Sequence, residues 1–223
     1  MQKIIVNTDD GASTIYLPNI DECYHSTKGA LHEAQHVYID NGFKHRNLTN
    51  TKILEMGFGT GLNAYLTMLS ILESEKKIHY TSIELYPLDE QIINNLNYPN
   101  FIYPQHKDLF YQLHNAPWGE KVNITDNFII EKLHLDFNNF YPKNAFDVVY
   151  FDAFAPEKQP ELWTLEIFKK IYNAMNTQGV ITTYCAKGVI RRTLQECGFT
   201  TERLPGPING KREILRGTKI FNL

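Results

Sequence analysis

Residues 51–63, T-K-I-L-E-M-G-F-G-T-G-L-N, set a short apolar run before three glycines at alternate positions, and an apolar helical pattern follows. Glycine has no Cβ, so a loop of this kind can turn tightly and let a ligand come close to its backbone. A strand that enters a helix through such a loop is a βα unit, and the rest of the chain repeats the alternation. Residues 78–84 (I-H-Y-T-S-I-E), 146–152 (F-D-V-V-Y-F-D) and 179–185 (G-V-I-T-T-Y-C) read as strands, 121–135 as β-rich, and two further strands lie near 199–204 and 212–216. The spacing of apolar residues predicts helices over 62–72, 88–96, 107–114, 160–175 and 188–197. Upstream, residues 3–17 read as a hairpin about Asp9-Asp10-Gly11, and 29–40 as a helix. The expected fold is α/β and Rossmann-like, with a mostly parallel seven-stranded sheet over 51–223 and a small N-terminal hairpin and helix extension over 1–50.

The loop narrows the choice of ligand. Gly57-Phe58-Gly59-Thr60-Gly61 is G-x-G-x-G, which differs from the dinucleotide pattern, and it lacks the Gly-Lys-Ser/Thr ending of a phosphate loop. Glu55, just ahead of it, suits a cationic ligand better than a pyrophosphate. Glu84 ends the next strand 23 residues beyond Gly61, where a carboxylate can accept hydrogen bonds from both hydroxyls of a ribose. Asp136 can hold an adenine amine in the same way, or be a plain surface carboxylate. A positively charged nucleoside without phosphate, S-adenosylmethionine, fits this set. Asp152 closes another strand at the end of the sheet where ligands gather. With Phe154 after it, it can hold an amine acceptor beside the methyl donor.

Other readings fare worse. His32-Glu33-Ala34-Gln35-His36 matches the H-E-x-x-H zinc pattern, but Ile39 and Gly42 stand where the extended motif needs glycine and histidine. No metal is expected. Three cysteines, widely spaced, make no disulfide framework. No stretch is long and apolar enough to span a membrane, and the N-terminus has no signal-peptide pattern, so a cytoplasmic location is expected. Net charge is −3, which by itself disfavours a nucleic-acid partner. However, the chain from Lys187 onward has eight Lys/Arg against three Asp/Glu, leaving fourteen against twenty-two before it. A basic C-terminal segment on an acidic body is compatible with a local phosphate-binding patch.

The stretches E-M-G-F-G-T-G-L-N (55–63), D-A-F-A-P-E-K-Q-P-E-L-W (152–163), T-Y-C-A-K-G-V-I-R-R (183–192), G-K-R-E-I-L (210–215) and Y-H-S-T-K-G-A-L-H-E-A-Q-H-V-Y-I (24–39) occur in one order along nearly the whole chain. In these the chain resembles the tRNA 5-methylaminomethyl-2-thiouridine methyltransferases, the stand-alone MnmD proteins and the methyltransferase half of bifunctional MnmC. Gln159 departs from the pattern, which leads one to expect Asn there. The resemblance implies a class I S-adenosylmethionine-dependent methyltransferase that N-methylates the 5-aminomethyl group of the wobble uridine. Its tRNA partner would be held at the anticodon stem-loop, and a separate flavin-dependent oxidase would act before it. It implies that Asn63 belongs to the cofactor loop and Pro156 to the acceptor loop, and that Asp152 acts on the amine. Tyr24, Ser26 and Glu33 would line the uridine pocket, with N-terminal packing and helix capping as the alternative. Lys158, Lys187, Arg191, Arg192, Lys211 and Arg212 are then candidates for RNA phosphate contacts, and Phe154 for base stacking. Two other readings stay open: a methyltransferase of another amine, on a small molecule or protein, and a catalytically silent RNA-binding module.

Overall fold

The apolar run before the glycine loop forms β4 (Asn50–Met56), whose last four residues are all buried, as befits a central parallel strand covered on both faces. The structure, a computed structural model, describes residues 2–142 and 145–220. Strands β5 (Lys77–Glu84), β6 (Lys121–Thr125), β7 (Phe128–His134), β8 (Phe146–Phe151), β9 (Met175–Thr183), β10 (Phe199–Pro205) and β11 (Glu213–Lys219) join β4 in one sheet. Its order is β10-β11-β9-β8-β4-β5-β7-β6. The run β9-β8-β4-β5-β7 is parallel, and the edges are antiparallel.

The sheet therefore has eight strands where seven were expected. The extra one is β6: the β-rich stretch 121–135 folds back on itself between Thr125 and Phe128 and adds an antiparallel edge. Successive strand residues point to opposite faces, and this divides the core in two. Ile53, Val148 and Tyr150 join one apolar cluster; Leu54, Met56, Val149 and Phe151 join the other.

The N-terminal hairpin is β1 (Ile4–Asn7) with β2 (Ser13–Leu17), to which an unforeseen β3 (Glu22–Cys23) is added. The helix expected over 29–40 starts as α1 (Ala30–Ala34), runs on through a nine-residue π-helical stretch, Gln35–Phe43, and ends in α2 (Lys44–Arg46). It passes Gly42, where an added Cβ would meet Tyr150 and Thr182 at 3.1 Å; the glycine marks close packing on the sheet and does not end the helix. The remaining helices are α3 (Leu62–Leu69), α4 (Glu90–Asn95), α5 (Tyr98–Phe101), α6 (Lys107–Asn115), α7 (Leu165–Ala174) and α8 (Gly188–Glu196). Helix α5 lies between the helices expected over 88–96 and 107–114, in a stretch that holds Pro99 and Pro104. Pro99 sits in its first turn, where the missing N–H costs nothing. The segment 160–175 begins with a separate 3-10 turn, Pro160–Leu162, before Thr164 caps α7 by accepting from Ile167 N at 3.4 Å.

Apolar residues of the first fifty, including Ile15, Leu17, Val37 and Phe43, share one cluster with Ile53, Tyr65 and Phe110. Polar groups pin the hairpin as well. Asn97 Oδ1 accepts from Ser13 N at 2.9 Å and Ser13 Oγ at 2.8 Å, while its Nδ2 donates to Gly11 O at 2.8 Å. Next to it, Tyr98 Oη donates to Ser13 O at 2.6 Å. Replacing Asn97 by Ala removes three hydrogen bonds, and the N97A variant is expected to lose about 2 kcal/mol in urea unfolding with an unchanged m value. A loss below about 0.5 kcal/mol would show that the hairpin does not depend on this clamp.

Candidate active site

The glycine loop takes up backbone that other residues resist. Gly57 and Gly61 have φ of 88° and 73°. A Cβ on Gly57 would stand 3.2 Å from the backbone oxygen of Asp152, and one on Gly61 2.8 Å from His114 Nε2. The loop is thus pressed against the end of β8 on one side and α6 on the other. Glu84 fastens it from β5: Oε2 accepts from Gly59 N at 3.0 Å and Oε1 from Tyr86 N at 2.8 Å. Phe58 covers Lys132, a nearly inaccessible lysine whose Nζ lies 5.1 Å from the Phe58 ring centroid and 4.8 Å from that of Trp118. Lys132 Nζ donates to His114 O at 2.5 Å, and burial brings its pKa down to about 8.

A cavity opens over this loop. It is lined by Gly57, Phe58, Gly59, Thr60 and Asn63, by Glu84, Leu85 and Tyr86, by Asp136, Phe137 and Asn138, and by Asp152 to Phe154. Its described lining includes the carboxylates of Glu84, Asp136, Asp152 and Glu161 but no lysine or arginine. A phosphate would find no cation there. A sulfonium and an ammonium would find acids. S-adenosylmethionine fits these residues. Asp136 caps the 3-10 turn after β7, where its Oδ1 accepts from Asn138 N at 2.8 Å and Asn138 Nδ2 at 3.0 Å.

One expectation about this cavity is corrected. Glu55 does not face a cationic ligand. It is fully buried behind the wall, its Oε2 accepts from Ser82 Oγ at 2.7 Å, and burial pushes its pKa up to about 8. Gly61 lies at the N-terminus of α3 and is likewise outside the lining.

A second cavity meets the first at Asp152. It is lined by Tyr16, Asp21, Glu22, Tyr24, His25, Ser26, Glu33, Phe154, Tyr184 and Lys211. Tyr24, His25, Asp152, Ala153 and Phe154 belong to both linings. The Asp152 carboxyl is held by two donors from different elements: Tyr38 Oη to Oδ1 at 2.6 Å and Asn63 Nδ2 to Oδ2 at 2.8 Å. Burial raises its pKa to about 6; the two hydrogen bonds oppose that rise and the charge of Glu33 adds to it. At neutral pH it is mostly ionised.

The backbone beyond Asp152 is fastened residue by residue. Tyr184 Oη donates to Ala153 O at 2.8 Å, Trp163 Nε1 to Phe154 O at 2.8 Å, and Phe154 N to Gln159 Oε1 at 3.2 Å. Gln159 thus supplies a loop hydrogen bond even though the motif leads one to expect Asn. Tyr24 packs edge-on against Phe154, with ring centroids 5.2 Å apart. Pro156 falls just outside both linings.

The H-E-x-x-H residues go to separate partners. His32 N donates to Asp10 Oδ2 at 3.0 Å, and His36 Nε2 donates to Pro205 O at 2.8 Å. Glu33 Oε1 accepts from Ser26 N at 3.1 Å, and its Oε2 pairs with Lys211 Nζ at 3.7 Å.

The six basic residues proposed as phosphate contacts are not equivalent. Lys211 lies in the second cavity, 3.5 Å from the centroid of the Tyr184 ring. Lys158 Nζ donates to Ile20 O at 2.7 Å, Lys187 pairs with Glu157, and Arg191 is half-buried with its Nε out of solvent. Arg192 and Arg212 are exposed.

Tyr38 and His25 are site residues that sequence reasoning missed. Tyr38 reads as one more apolar position on a helix, and nothing in the pattern shows that its hydroxyl reaches Asp152. His25 is buried between Thr14 Oγ1 at 3.3 Å and Thr60 Oγ1 at 3.4 Å, and burial lowers its pKa to about 4, leaving it neutral.

Comparison with known proteins agrees with this geometry. Residues 105–220, just over half of the chain, match the family described as S-adenosyl-L-methionine-dependent methyltransferase, and the chain belongs to that family. The tRNA 5-methylaminomethyl-2-thiouridine biosynthesis bifunctional protein MnmC of Burkholderia thailandensis is 29% identical over 227 residues, spanning 96% of this chain and 34% of the relative. Its counterpart in Cupriavidus metallidurans is 29% identical over 221 residues, 93% of this chain and 32% of the relative. The chain thus spans about a third of the length of these curated relatives. Among solved structures, MnmC2 from Aquifex aeolicus superposes with a TM-score of 0.80 at 24% identity, covering 97% of this chain and 70% of that one. Spermidine synthase from Thermotoga maritima gives 0.57 at 15% identity, covering 96% and 71%. Both show the Rossmann-like fold.

Alanine at Gly57 must push the loop off the Asp152 carbonyl or accept strained backbone, at about 1–2 kcal/mol. The G57A variant is expected to bind S-adenosylmethionine at least about tenfold more weakly in calorimetric titration, with its circular dichroism retained. Unchanged affinity would mean that the loop is not the cofactor cradle.

Proposed function

We propose that the protein transfers a methyl group from S-adenosylmethionine to the primary amine of 5-aminomethyl-2-thiouridine at the tRNA wobble position, giving 5-methylaminomethyl-2-thiouridine. The observation that carries this reading is the place of Asp152, a residue that lines the cofactor cavity and the second cavity at once. The second cavity includes the acids Asp21, Glu22, Glu33 and Asp152 against one cation, Lys211, together with the aromatic rings of Tyr24, Phe154 and Tyr184. That lining suits a cationic amine carried on a flat base. Residues 1–50 supply Tyr24, Ser26 and Glu33 to it, so the N-terminal extension serves as part of the acceptor site. The names of the MnmC relatives point to the same nucleoside. With a tRNA substrate the reaction is cytoplasmic and follows a flavin-dependent oxidase step.

Bound in the first cavity, S-adenosylmethionine supplies an electrophilic methyl group. The chain must supply alignment and a way to lose one proton, because an alkyl amine with a pKa near ~10 is mostly an ammonium at neutral pH. Asp152 orients that ammonium with a carboxylate whose own direction is set by Tyr38 and Asn63. Its raised pKa, about 6, makes it a better proton acceptor than an ordinary aspartate by about 3 kcal/mol. A gap of roughly 5 kcal/mol to the amine remains, so Asp152 passes the proton toward solvent and is no strong base. Alignment carries most of the rate. Glu84 and Asp136 are the proposed contacts for the ribose and adenine, and Phe154 the stacking platform. Arg192 and Arg212 face solvent and are the best placed of the basic set for RNA phosphates.

The direct test uses labelled S-adenosylmethionine and tRNA carrying 5-aminomethyl-2-thiouridine, with the digested nucleosides identified by mass. Label is expected in 5-methylaminomethyl-2-thiouridine, with D152N at least about 100-fold slower. A D152N variant within a few-fold of wild type would remove Asp152 from the mechanism. Label absent from that tRNA, with cofactor binding intact, would bring forward a small-molecule or protein amine. Because the ionised carboxylate is the competent form, turnover should fall about tenfold per unit as pH drops below about 6, and D152N should lack this limb. The double variant R192Q/R212Q should bind tRNA more weakly and with a flatter salt dependence, while binding S-adenosylmethionine normally. An unchanged salt slope would rule out these two arginines as phosphate contacts.

A further inference from the structure

Glu33 and Tyr38 stand five residues apart on one helix, and both act on Asp152. Tyr38 does so through its hydroxyl at 2.6 Å, and Glu33 through its charge at the second cavity. On an α-helix, residues five apart are turned about 140° from each other around the axis. A π turn, bonded from residue i to residue i+5, brings such residues back toward one side. The stretch Gln35–Phe43 is wound in this way, and three contacts along it span five residues. Lys44 N donates to Ile39 O, Gln35 Nε2 to Asp40 Oδ1 at 2.9 Å, and Asn41 Nδ2 to His36 O at 2.7 Å.

Wide turns of this kind are rare, and this one is gripped from outside the helix. Asn41 is the point of attachment. While its side chain holds His36 O, its carbonyl accepts from Arg216 Nη1 at 3.2 Å. Arg216 lies buried on β11, and its Nε and Nη2 both donate to Glu202 of β10 at 3.3 Å. A guanidinium is a rigid planar fork, so fixing one edge on Glu202 aims the other at Asn41. His36 Nε2 donates to Pro205 O at 2.8 Å, giving the β10–β11 hairpin a second hold on the same stretch. We propose that Asn41 and Arg216 are positioning residues for the methyl transfer, holding the chain in the π register that aims the Tyr38 hydroxyl at Asp152. Neither residue lines either cavity. Without their grip the stretch relaxes toward the commoner α winding, Tyr38 turns away, and Asp152 loses one of its two donors.

The charge of Asp152 reports whether that donor is in place. The groups that act on this carboxyl or respond to it are Glu33 and Tyr38 from the N-terminal helix, Glu55 from β4, Tyr80 from β5, Tyr184 after β9 and Lys211 before β11. Of these, only Tyr38 donates a hydrogen bond to it, alongside the amide of Asn63. A donor to a carboxylate favours the ionised form, so losing the Tyr38 bond raises the pKa of Asp152. Loosening the grip on the π stretch should have the same effect from a distance.

The kinetic consequence rests on the role proposed for Asp152, whereas the charge of Asp152 is measured without RNA. Infrared spectra of the full chain, each variant minus the same variant carrying D152N, give the midpoint at which the Asp152 carboxyl ionises. The wild-type midpoint is expected at about 6, and Y38F should raise it by about one unit. N41A and R216M should each raise it by at least about half as much, and N41A carries the test if R216M does not fold. Y38F/N41A should shift it no further than Y38F, because both changes remove the same bond. In the tRNA assay the acid limb should follow, with N41A losing more turnover at pH 6 than at pH 8. A folded N41A enzyme with the wild-type midpoint would overturn the proposal, since a merely structural role lowers stability and leaves this midpoint in place. Additive shifts in Y38F/N41A would overturn it too. If tRNA proves to be the wrong acceptor, the infrared midpoints still decide whether Asn41 and Arg216 position Asp152.

Discussion

Two hydrogen bonds to one carboxyl, from Tyr38 and from Asn63, join the N-terminal helix, α3 and the end of β8. Tyr38 comes from the π-helical stretch of the N-terminal helix and Asn63 from the first turn of α3. Asp152 itself follows β8, and its carbonyl is the surface on which Gly57 rests. A change in the direction of this side chain therefore displaces the glycine loop, the helix behind it and the wall between the two cavities together. The donors also set its charge. They oppose a desolvation that would otherwise carry the carboxyl further from its ordinary range. Glu33 and Lys211 act on it from the far side of the acceptor cavity with opposite sign.

Around the two cavities the charges are segregated. Carboxylates line both cavities, while the exposed Arg192 and Arg212 stay at the surface. The acidic body and basic tail read from the sequence are this same separation laid out along the chain. Lys211 stands between the two, an exposed C-terminal cation beside Glu33 and the Tyr184 ring at the second cavity. Its partners show why net charge is a poor guide here. An acidic cavity and a basic rim serve different parts of one proposed substrate, the amine and the phosphates.

Strands β4 and β8 were readable from runs of buried apolar residues, with the glycine loop marking the end of β4, while β5 and β9 carry β-branched residues among polar ones. The β6–β7 hairpin was not resolved, since 121–135 looks uniformly β-rich and the turn between Thr125 and Phe128 has no glycine to mark it. The helix at 98–101 was hidden by Pro99, which favours a first turn as readily as a loop. Site residues divide in the same way. The glycine loop, Glu84, Asp152 and Phe154 carry local signals, and the structure brings them around one cavity. Tyr38 and His25 owe their positions to tertiary packing, which leaves no periodic trace. Glu55 is instructive, because strand parity was available: it stands on the same face as Ile53, under α3, and cannot also face a ligand beyond the strand end.

The acceptor cavity is closed by residues from opposite ends of the chain, positions 16–33 on one side and Tyr184 and Lys211 on the other. The cofactor cavity needs little beyond Leu162. During synthesis, then, every residue that lines the first cavity emerges before the β10–β11 hairpin, whereas the lining of the second is complete only once Lys211 has been made. Contacts across so much sequence carry a large loop-closure cost. The second cavity is therefore the part of the molecule that most depends on the C-terminal hairpin being docked.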